Sequence, residues 1–341
     1  MLQAVMPEAG KFDLTEVSVP EVGEAQALLK MERIGICGSD MQIYHGKHKF
    51  MTYPVVLGHE GAGTVVNVGQ NVQNVAVGDR VTVQPQLYCG HCHPCRHGHY
   101  NVCENLAVLG VHTTGLSSDY FLTEAAKLIK LPDALSMDQG ALIEPTAVAT
   151  AGIRKCGGVE AANVVVLGAG PIGNLVAQVA RASGANAVMI TDINSKRLEL
   201  ARRCGIEVCI DSKAVRLADA ISEHFGADGA DLILDCAGVP QTITAAVEAA
   251  RRASRIGVIA NFKQSIDIEL VLLQRKEVTL YGIMMYARED FEEAIRLIAE
   301  GKLHTQELIT NHFAIRQIRE AYRYIDDHSD DVMKVILTLN Q

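Results

Sequence analysis

The chain has 341 residues, of which 48% are hydrophobic and 21% charged, and these values are typical of a globular protein with about two domains. Its net charge of −9, with no basic stripe, argues against a nucleic-acid partner. No apolar run of about 18 residues could cross a bilayer, which argues against a membrane partner. Residues 1–13 lack the basic and apolar regions of a signal peptide, so we expect a cytoplasmic protein.

The first third of the chain has the pattern of an antiparallel β-domain. Residues 1–33 alternate apolar and polar positions around Gly and Pro, which predicts short antiparallel strands. Residues 58–83 show the same alternation, with a Gly-Asp turn between two apolar runs. A β-rich domain is therefore predicted to extend to about residue 145.

Four cysteines follow in a Gly- and His-rich segment with the spacing C-x2-C-x2-C-x7-C: Cys89, Cys92, Cys95 and Cys103. Short spacings allow several thiolates to converge on one tetrahedral ion, and four thiolates close such a site to water. The chain has nine cysteines and no secretory signal, so a metal site is favoured over disulfides. The segment predicts a structural Zn²⁺ site, with an Fe–S cluster or unliganded thiols as alternatives. Four histidines are either competing ligands or exposed loop residues: His91, His93, His97 and His99.

A complete βαβ pattern begins at residue 163. A β-branched run enters GAGPIG, a helix-period segment ends at Gly184, and a second apolar run stops at Asp192. Gly168 permits a tight turn, Gly170 allows the backbone to approach a pyrophosphate, and Gly173 allows close packing of helix and strand. The residues expected to contact a dinucleotide are Gly168, Gly170, Pro171, Ile172 and Gly173. Glycines that merely form turns are the alternative explanation.

Asp192 predicts which dinucleotide is bound. A carboxylate at this point accepts hydrogen bonds from both ribose hydroxyls and would repel a 2′-phosphate, so we predict NAD rather than NADP. Arg197 is a further candidate cofactor contact, because an arginine at this position could serve a 2′-phosphate.

Six strands alternating with helices predict a doubly wound Rossmann domain over residues 147–284. Beyond it, a helix from Glu289, a helix near residues 317–325 and a strand over residues 332–339 do not extend that sheet simply. We expect them to return to the first domain. The predicted limits are therefore 1–146 and 285–341 for one discontinuous domain, with the Rossmann domain inserted in it.

A second group of candidate metal ligands is dispersed: Cys37 in GICGSD, His59 and Glu60 in LGHEGAG, and Glu144 in ALIEPTAV. Taken singly, each has a structural explanation as a buried thiol, a core histidine or a helix end. Taken together with a nucleotide fold and a Cys₄ segment, they suggest a metal site that keeps one position open for water or substrate.

The whole chain resembles the zinc-dependent medium-chain alcohol dehydrogenase superfamily, in particular its sorbitol (polyol) and threonine dehydrogenase branch. The residues that carry this resemblance are GHEGAGTVVNVG at 58–69, the four-cysteine segment, GAGPIG, and Glu144 directly before Pro145. The resemblance implies a GroES-like catalytic domain, a Rossmann domain, and two Zn²⁺ ions per subunit. Cys37 and His59 would bind the catalytic ion, with Glu60 and Glu144 either bound to it directly or adjacent to its ligands.

The implied reaction is oxidation of an alcohol through a zinc-bound alkoxide, with hydride transfer to NAD. Ser39 would accept the hydroxyl proton, and Asp40 would support the metal loop. The chain departs from the family at Gln42, where relatives commonly have a proton-relaying histidine; His45 is a possible substitute. Six residues are guesses for the pocket lining: Tyr44, Lys47, His48, Lys49, Phe50 and His112.

The substrate class implied is a secondary alcohol, namely a polyol, sugar acid or sugar phosphate. The alternatives are an L-threonine 3-dehydrogenase, a non-enzymatic zinc-binding interaction protein, and a metal-free quinone reductase relative. The last two are disfavoured by the acidic balance and by the joint presence of Cys37, His59 and Glu144. The apolar last strand of the Rossmann domain needs to be covered, as in the resembling branch, so we expect a homotetramer or else a dimer.

Overall fold

A computed structural model describes residues 1–48 and 51–339 of the chain. Lys49 and Phe50, two of the residues guessed to line the pocket, lie outside the described ranges. The chain forms two compact units. Unit 1 comprises Met1–Glu144, Ala287–Ala299 and Ile309–Gln341, and unit 2 comprises Pro145–Tyr286 and Glu300–Leu308. Residues 300–308 thus pack with the second unit, whereas the predicted limits assigned them to the first.

Unit 1 is built on a seven-stranded sheet and two short hairpin sheets. Its strands, in chain order, are β1 Leu2–Glu8, β2 Lys11–Glu16, β3 Gln26–Gly35, β4 Glu60–Val68, β5 Arg80–Val83, β6 Gln86–Leu87, β7 Ala107–Val108, β8 Tyr120–Glu124 and β9 Leu128–Lys130. The strands β16 Ile309–Ala314 and β17 Lys334–Thr338 complete the unit. The large sheet has the order β16-β17-β3-β4-β5-β9, and β8 also pairs with β3. Alternation along β3 and β4 buries residues such as Leu29, Met31 and Val65 in a common core.

The helices of unit 1 are short and lie mostly at the ends of strands: α1 Gly38–Tyr44, α2 His93–Arg96, α3 Met137–Ala141, α10 Arg288–Ala299 and α11 Ile318–Asp327. Single 3-10 turns occur at Tyr100–Val102, Ala125–Lys127 and Ile315–Gln317. The helix α4 Ile143–Lys155 begins in unit 1 with Glu144 in its first turn and continues into unit 2.

Unit 2 is a parallel six-stranded sheet with the order β12-β11-β10-β13-β14-β15. Its strands are β10 Asn163–Leu167, β11 Ala187–Asp192, β12 Val208–Asp211, β13 Leu232–Asp235, β14 Arg255–Val258 and β15 Thr279–Gly282. Its helices are α5 Pro171–Ala182, α6 Ser195–Arg203, α7 Leu217–Phe225, α8 Pro240–Ala249 and α9 Leu270–Lys276, with 3-10 turns at Gly226–Asp228 and Thr305–Leu308. Counted along the chain, the strand order is 3-2-1-4-5-6, so the predicted Rossmann fold is confirmed.

Strand pairing in unit 1 brings distant parts of the chain to one point. Gly35, at the end of β3, pairs with Glu60 of β4 on one side and with Ile336 of β17 on the other. The backbone continues the pairing past β3, because the N–H of Ile36 donates to the carbonyl of Val335 at 2.9 Å. The residue that follows is Cys37, so the carboxyl end of β3 delivers the thiol beside the start of β4.

Across the two described ranges, no helix combines the length and apolar character needed to cross a membrane.

Candidate functional site

A thiol, an imidazole and a carboxylate meet where β3 ends and β4 begins. The ligand atoms of Cys37, His59 and Glu60 all lie within 4.8 Å of one another. Cys37 caps the amino end of α1, and His59 directly precedes β4, of which Glu60 is the first residue. His59 and Glu60 are 6% and 1% exposed, so these polar groups are held out of bulk water. Strand pairing fixes Glu60 and a helix cap fixes Cys37, whereas His59 lies in the loop directly before β4.

The His59 ring is oriented by residues of the first turn of α1. Its Nδ1 lies 3.5 Å from Oδ1 of Asp40, and its Nε2 lies 3.4 Å from Oγ of Ser39. The other Asp40 oxygen accepts a hydrogen bond from the Cys37 N–H at 2.9 Å. Asp40 thereby ties the imidazole to the backbone of the thiol residue.

Lys334 of β17 is the neighbour that sequence reasoning missed. Its Nζ lies 2.6 Å and 2.8 Å from the two oxygens of Glu60 and 3.3 Å from the carbonyl oxygen of Ile36. Both side chains are buried, at 4% and 1% exposure. The sequence did contain a signal, because Lys334 is a single cation within the apolar run VMKVILTL, and a buried charge requires a partner.

Negative groups dominate the electrostatics of this cluster. Burial disfavours the charged imidazole, but Asp40, the Cys37 thiolate and Glu144 outweigh it and hold the pKa of His59 well above its usual value. Burial alone would lower the pKa of Lys334, but interactions with Glu60, Cys37 and Glu144 together outweigh it, so the net pKa shift is upward. Burial raises the pKa of Asp40. The upward pKa shifts of His59 and Lys334 express the preference of the cluster for positive charge, whereas that of Asp40 mainly reflects its burial.

Glu144 is close enough to act on the cluster electrostatically but is not part of its tightest group. It is buried, at 5% exposure, and its charge raises the pKa of both His59 and Lys334. Within the described ranges, the mutually close ligand atoms belong to Cys37, His59 and Glu60, and Glu144 falls outside that set.

The cluster fits a Zn²⁺ ion. Thiolate, imidazole and carboxylate are the three donor types that protein zinc sites use, and three protein ligands leave a fourth position open. Asp40 Oδ1 and His59 Nδ1 are buried polar atoms that lack a hydrogen bond within the described chain, although they face each other. This is the arrangement in which a carboxylate orients a histidine whose other nitrogen binds a metal.

The four-cysteine segment has the geometry of a second metal site. The ligand atoms of Cys89, Cys92, Cys95 and Cys103 lie within 4.8 Å of one another, with sulfur–sulfur distances of 3.5 Å for the pair 89–103 and 3.8 Å for the pair 92–103. A tetrahedron with Zn–S bonds of about 2.3 Å has edges of about 3.8 Å, which matches these separations.

Backbone groups support those thiolates. The N–H of Cys92 points at the Cys89 sulfur, and the N–H groups of Cys89 and Asn105 point at the Cys103 sulfur, each at 3.3 Å. Hydrogen bonds from the backbone of His91 and Cys92 lower the pKa of Cys89 to about 6. Among described residues, none of the four nearby histidines belongs to this group: His91 Nδ1 lies 2.8 Å from the carbonyl oxygen of Cys89, and His93 and His97 face each other with ring centres 4.3 Å apart.

In unit 2 the glycine-rich turn lies between β10 and α5. Gly168 has a φ of +96°, Gly170 caps the helix, and Pro171 and Ile172 begin it, so unpaired N–H groups point out of the turn. A Cβ on Gly173 would lie 1.8 Å from the carbonyl oxygen of Gly168, whereas a Cβ on Gly170 would meet no atom closer than 3.9 Å. The space beside Gly170 is therefore open to a phosphate, and the turn fits a dinucleotide.

Asp192 ends β11 beside this turn and is nearly buried. Its Oδ2 accepts a hydrogen bond from the Ala169 N–H at 2.6 Å, and its Oδ1 accepts one from the Asn194 N–H at 2.8 Å. The carboxylate is thus held rigidly, and each oxygen retains a lone pair for a ribose hydroxyl. The atom nearest to an added Gly170 Cβ is Nη1 of Arg197, so this guanidinium also lies at the turn.

His45, the possible relay residue, and Tyr44, a residue guessed to line the pocket, have contacts elsewhere in unit 1. His45 Nε2 lies 2.9 Å from Asp326 of α11, and Tyr44 packs among aromatic rings. Lys47 is exposed. Burial and the charge of His112 lower the pKa of His48, which places these two imidazoles near each other.

Comparison with known proteins gives two family matches that together span most of the chain. Residues 23–133 match the alcohol dehydrogenase GroES-like domain, and residues 171–300 match the zinc-binding dehydrogenase domain. Three relatives extend the similarity over nearly the full length. A 2-dehydro-3-deoxy-L-galactonate 5-dehydrogenase of Pseudoalteromonas atlantica is 34% identical, covering 94% of this chain and 93% of its own. An L-threonine 3-dehydrogenase of Vibrio cholerae is 34% identical with 94% of each chain covered, and sorbitol dehydrogenase 1 of Saccharomyces cerevisiae is 32% identical over 98% and 96%.

Two solved structures are similar throughout. A short chain alcohol dehydrogenase from Escherichia coli complexed with NADH has a TM-score of 0.93 at 31% identity, with 99% of each chain covered. A protein of Sinorhizobium meliloti described as a zinc-binding dehydrogenase, bound to NADP, has a TM-score of 0.91 at 27% identity, covering 99% of this chain and 98% of its own.

Proposed function

The chain belongs to the zinc-dependent medium-chain alcohol dehydrogenase superfamily, and from that premise we propose that it transfers a hydride between a secondary alcohol and NAD. The substrate we propose is a polyol, a sugar acid or a sugar phosphate. The observation that carries the proposal is the convergence of Cys37, His59 and Glu60 within 4.8 Å at the carboxyl end of β3. A half-buried thiol beside a buried imidazole and a buried carboxylate is the donor set of a catalytic metal.

Two Zn²⁺ ions per subunit are proposed. Cys37, His59, Glu60 and Glu144 would hold the catalytic ion, with the glutamates bound to it directly or placed beside its ligands. Cys89, Cys92, Cys95 and Cys103 would hold the structural ion. When bound at the first site, Zn²⁺ acts as a Lewis acid that lowers the pKa of an alcohol hydroxyl.

The residues around the first site orient the ligands and remove the proton. Asp40, 3.5 Å from Nδ1 of His59, would orient the imidazole, and Lys334 neutralises Glu60. Ser39, whose Oγ lies 3.4 Å from His59 Nε2, is the proposed acceptor of the hydroxyl proton. Gln42 cannot titrate, and His45 is engaged with Asp326, so we propose that the proton passes from Ser39 to solvent without a histidine relay.

NAD is the proposed dinucleotide. The turn at Gly168, Gly170, Pro171, Ile172 and Gly173 would bind the pyrophosphate, and Asp192 would accept hydrogen bonds from the ribose. A 2′-phosphate would meet the Asp192 carboxylate, which is already held in place by two backbone N–H groups. Arg197 would contact the pyrophosphate, because its guanidinium lies beside Gly170.

The polyol class is preferred to threonine because Glu144 directly precedes Pro145, the feature that resembles the polyol branch. An L-threonine 3-dehydrogenase activity is the second candidate, since a relative of that name is 34% identical. We further propose that the protein is a homotetramer, with a dimer as the alternative, and that it works in the cytoplasm.

The test is the appearance of NADH from zinc-loaded protein offered polyols, sugar acids, sugar phosphates and L-threonine in parallel. We expect turnover with one of the first three classes, and much poorer turnover when NADP replaces NAD. The variant Cys37→Ala should lose turnover and one zinc while still binding NADH. Undiminished turnover by this variant would contradict the metal role of Cys37, and threonine as the best substrate would favour the second candidate.

A further inference from the structure

A cavity of unit 1 has no role in the proposed reaction. It has a volume of about 350 Å³ and is lined by Gly10, Lys11, Phe12, Tyr44, Arg319 and Arg323. These residues come from the β1–β2 turn, the end of α1 and the exposed side of α11. Small-molecule sites have volumes from about 300 Å³ upward. The lining includes none of the residues assigned to zinc or NAD.

The floor of the cavity is a rigid aromatic cluster. Phe12 and Tyr44 are stacked with ring centres 6.1 Å apart and planes only 15° from parallel. Tyr322, which is 2% exposed, packs against both, at 4.7 Å from Phe12 and 5.2 Å from Tyr44. The rings are therefore fixed before any ligand arrives, and the half-buried Tyr44 presents a flat apolar surface.

Three cations surround this floor, although the protein as a whole carries a net charge of −9. Two of them have carboxylate neighbours: Lys11 lies 3.6 Å from Glu8, and Arg319 lies 3.4 Å from Asp13. These pairs are well exposed and therefore weak.

Arg323 differs from the other two cations, because its Nε donates to the Arg319 carbonyl at 3.3 Å, a contact that leaves its positive charge unneutralised. Arg319 is itself held by a 2.6 Å hydrogen bond from its Nε to the Phe12 carbonyl. The backbone thus places two guanidinium groups one helical turn apart above the rings.

The entrance of the cavity is unobstructed at Gly10. Its N–H donates to the Tyr44 carbonyl at 2.8 Å, which fastens the β1–β2 turn to the end of α1. Its φ is +75°, and a Cβ built there would meet no atom within 4 Å. A residue without a side chain at this point keeps the aromatic floor accessible.

We propose that this cavity binds a small phosphate monoester with a flat apolar body. The phosphate would lie between Arg323, Arg319 and Lys11, whose three positive charges are offset only in part by the exposed carboxylates of Glu8 and Asp13. The apolar body would stack on Tyr44. Such a ligand would touch Tyr44, the last residue of α1, so its binding site adjoins the element that carries Ser39 and Asp40.

Phenyl phosphate is the probe for this proposal, titrated calorimetrically into zinc-loaded protein saturated with NADH so that the cofactor site is filled. We expect saturable binding that weakens as salt increases. Inorganic phosphate should bind more weakly, because it cannot stack on Tyr44.

Arg323→Gln should weaken phenyl phosphate binding by about tenfold or more. Arg316→Gln removes an equal charge from an exposed position next to α11, outside the cavity lining, and should leave binding within about twofold of the parent. Unchanged NADH binding and melting temperature would verify that both variants are folded. Absence of saturable binding, or equal losses in the two variants, would overturn the proposal. Because no readout requires turnover, the result is independent of the dehydrogenase assignment.

Discussion

Glu60 and Lys334 form an ion pair in which the side chains are only 1% and 4% exposed. Neither side chain could remain charged at such burial without the other. Moving a carboxylate out of water is costly, and this carboxylate is in addition surrounded by Cys37, Asp40 and Glu144. Glu60 can therefore be buried next to a metal only because Lys334 pairs with it. Its three hydrogen-bond acceptors, two oxygens of Glu60 and the Ile36 carbonyl, match the three donors of an ammonium group.

Lys334→Met should lower the free energy of unfolding by about 3–5 kcal/mol, because it leaves Glu60 buried without a partner. Urea unfolding of the apo proteins measures this loss. The double variant Lys334→Met with Glu60→Gln removes both charges and should recover most of the stability. A single variant as stable as the parent would show that water or a shift of the strand compensates the carboxylate.

A pH-dependent contribution is expected from Asp79. Its Oδ2 accepts hydrogen bonds from Lys130 Nζ at 2.6 Å and from the Ala76 N–H at 2.7 Å, and these bonds lower its pKa below 3.8, the Lys130 bond most strongly. The folded state then holds the proton less tightly than the unfolded state, so the stabilisation is present above pH 3.8 and is lost as pH falls through the lowered value.

Asp79→Asn should therefore reduce stability by up to about 1 kcal/mol at pH 7. The difference from the parent should vanish in acid. Asp133→Asn, at an exposed nearby position, is the matched control and should change little at either pH. Thermal unfolding at several pH values measures both, and a pH-independent loss for Asp79→Asn would point to the Ala76 hydrogen bond alone.

At the scale of elements, two glycines of the six-residue turn should have different roles, Gly173 in folding and Gly170 in cofactor binding. Gly173→Ala would place a Cβ 1.8 Å from the Gly168 carbonyl oxygen, a backbone atom that cannot rotate away, and should lower stability by about 1–3 kcal/mol or more. Gly170→Ala meets nothing closer than 3.9 Å and should keep its stability, yet NADH binding should weaken by about tenfold or more because the methyl group occupies the phosphate position. Chemical denaturation and NADH fluorescence titration distinguish the two, and equal behaviour of the variants would contradict the assignment of separate roles.

The four-cysteine segment should behave as an independent metal element. Cys95→Ser should remove one of the two proposed zinc ions per chain and make residues 89–103 susceptible to protease, while NADH binding persists, because the glycine turn lies in the other unit. Cys209→Ser, a thiol outside both metal groups of the described ranges, should retain both ions. Elemental analysis gives the counts, and two retained zinc ions in Cys95→Ser would show that the three remaining thiolates suffice.

The sequence predicted elements best where local pattern alone decides them. The βαβ unit was predicted with nearly its observed limits, because a buried parallel strand, a glycine turn and an amphipathic helix each leave a local signature. The residues of the metal cluster could also be identified from the sequence, since Cys37, His59 and Glu60 lie in short motifs.

The sequence could not predict which residues far apart in the chain contact each other. Nothing near Lys334 indicates that β17 pairs with β3, because antiparallel pairing between remote strands is decided by the whole sheet and not by either strand. The same reason hid the contact of His45 with Asp326, 281 positions apart, which turns a candidate relay residue towards α11.

At the scale of the whole molecule, β15 is the edge of the parallel sheet and is partly apolar. Leu280 is 39% exposed on this strand, and Met284, shortly after it, is 47% exposed. An edge with unpaired backbone groups and exposed apolar side chains favours pairing with another strand, which is the basis for proposing a homotetramer or dimer.

Leu280→Lys should therefore reduce the mass measured by light scattering, since an ammonium group would be buried at the new edge. Val215→Lys introduces the same charge at a similarly exposed position of unit 2 and should leave the mass unchanged. A monomeric mass for the parent protein would contradict the proposal.

The pairing of β17 with β3 also determines the order in which parts of the protein can fold during synthesis. Glu60 and Lys334 are 274 positions apart, so at roughly 5–20 residues per second a ribosome needs on the order of tens of seconds to make the second after the first. During that interval Cys37, His59 and Glu60 are already present in the nascent chain, but the carboxylate has no counter-ion and β3 lacks one neighbour. Unit 2, whose strands are contiguous in sequence from Asn163 to Gly282, can complete its sheet first. The proposed metal centre can thus become native only late in synthesis, and a ribosome-bound chain that stops before Lys334 should bind NADH before it can hold the proposed catalytic zinc.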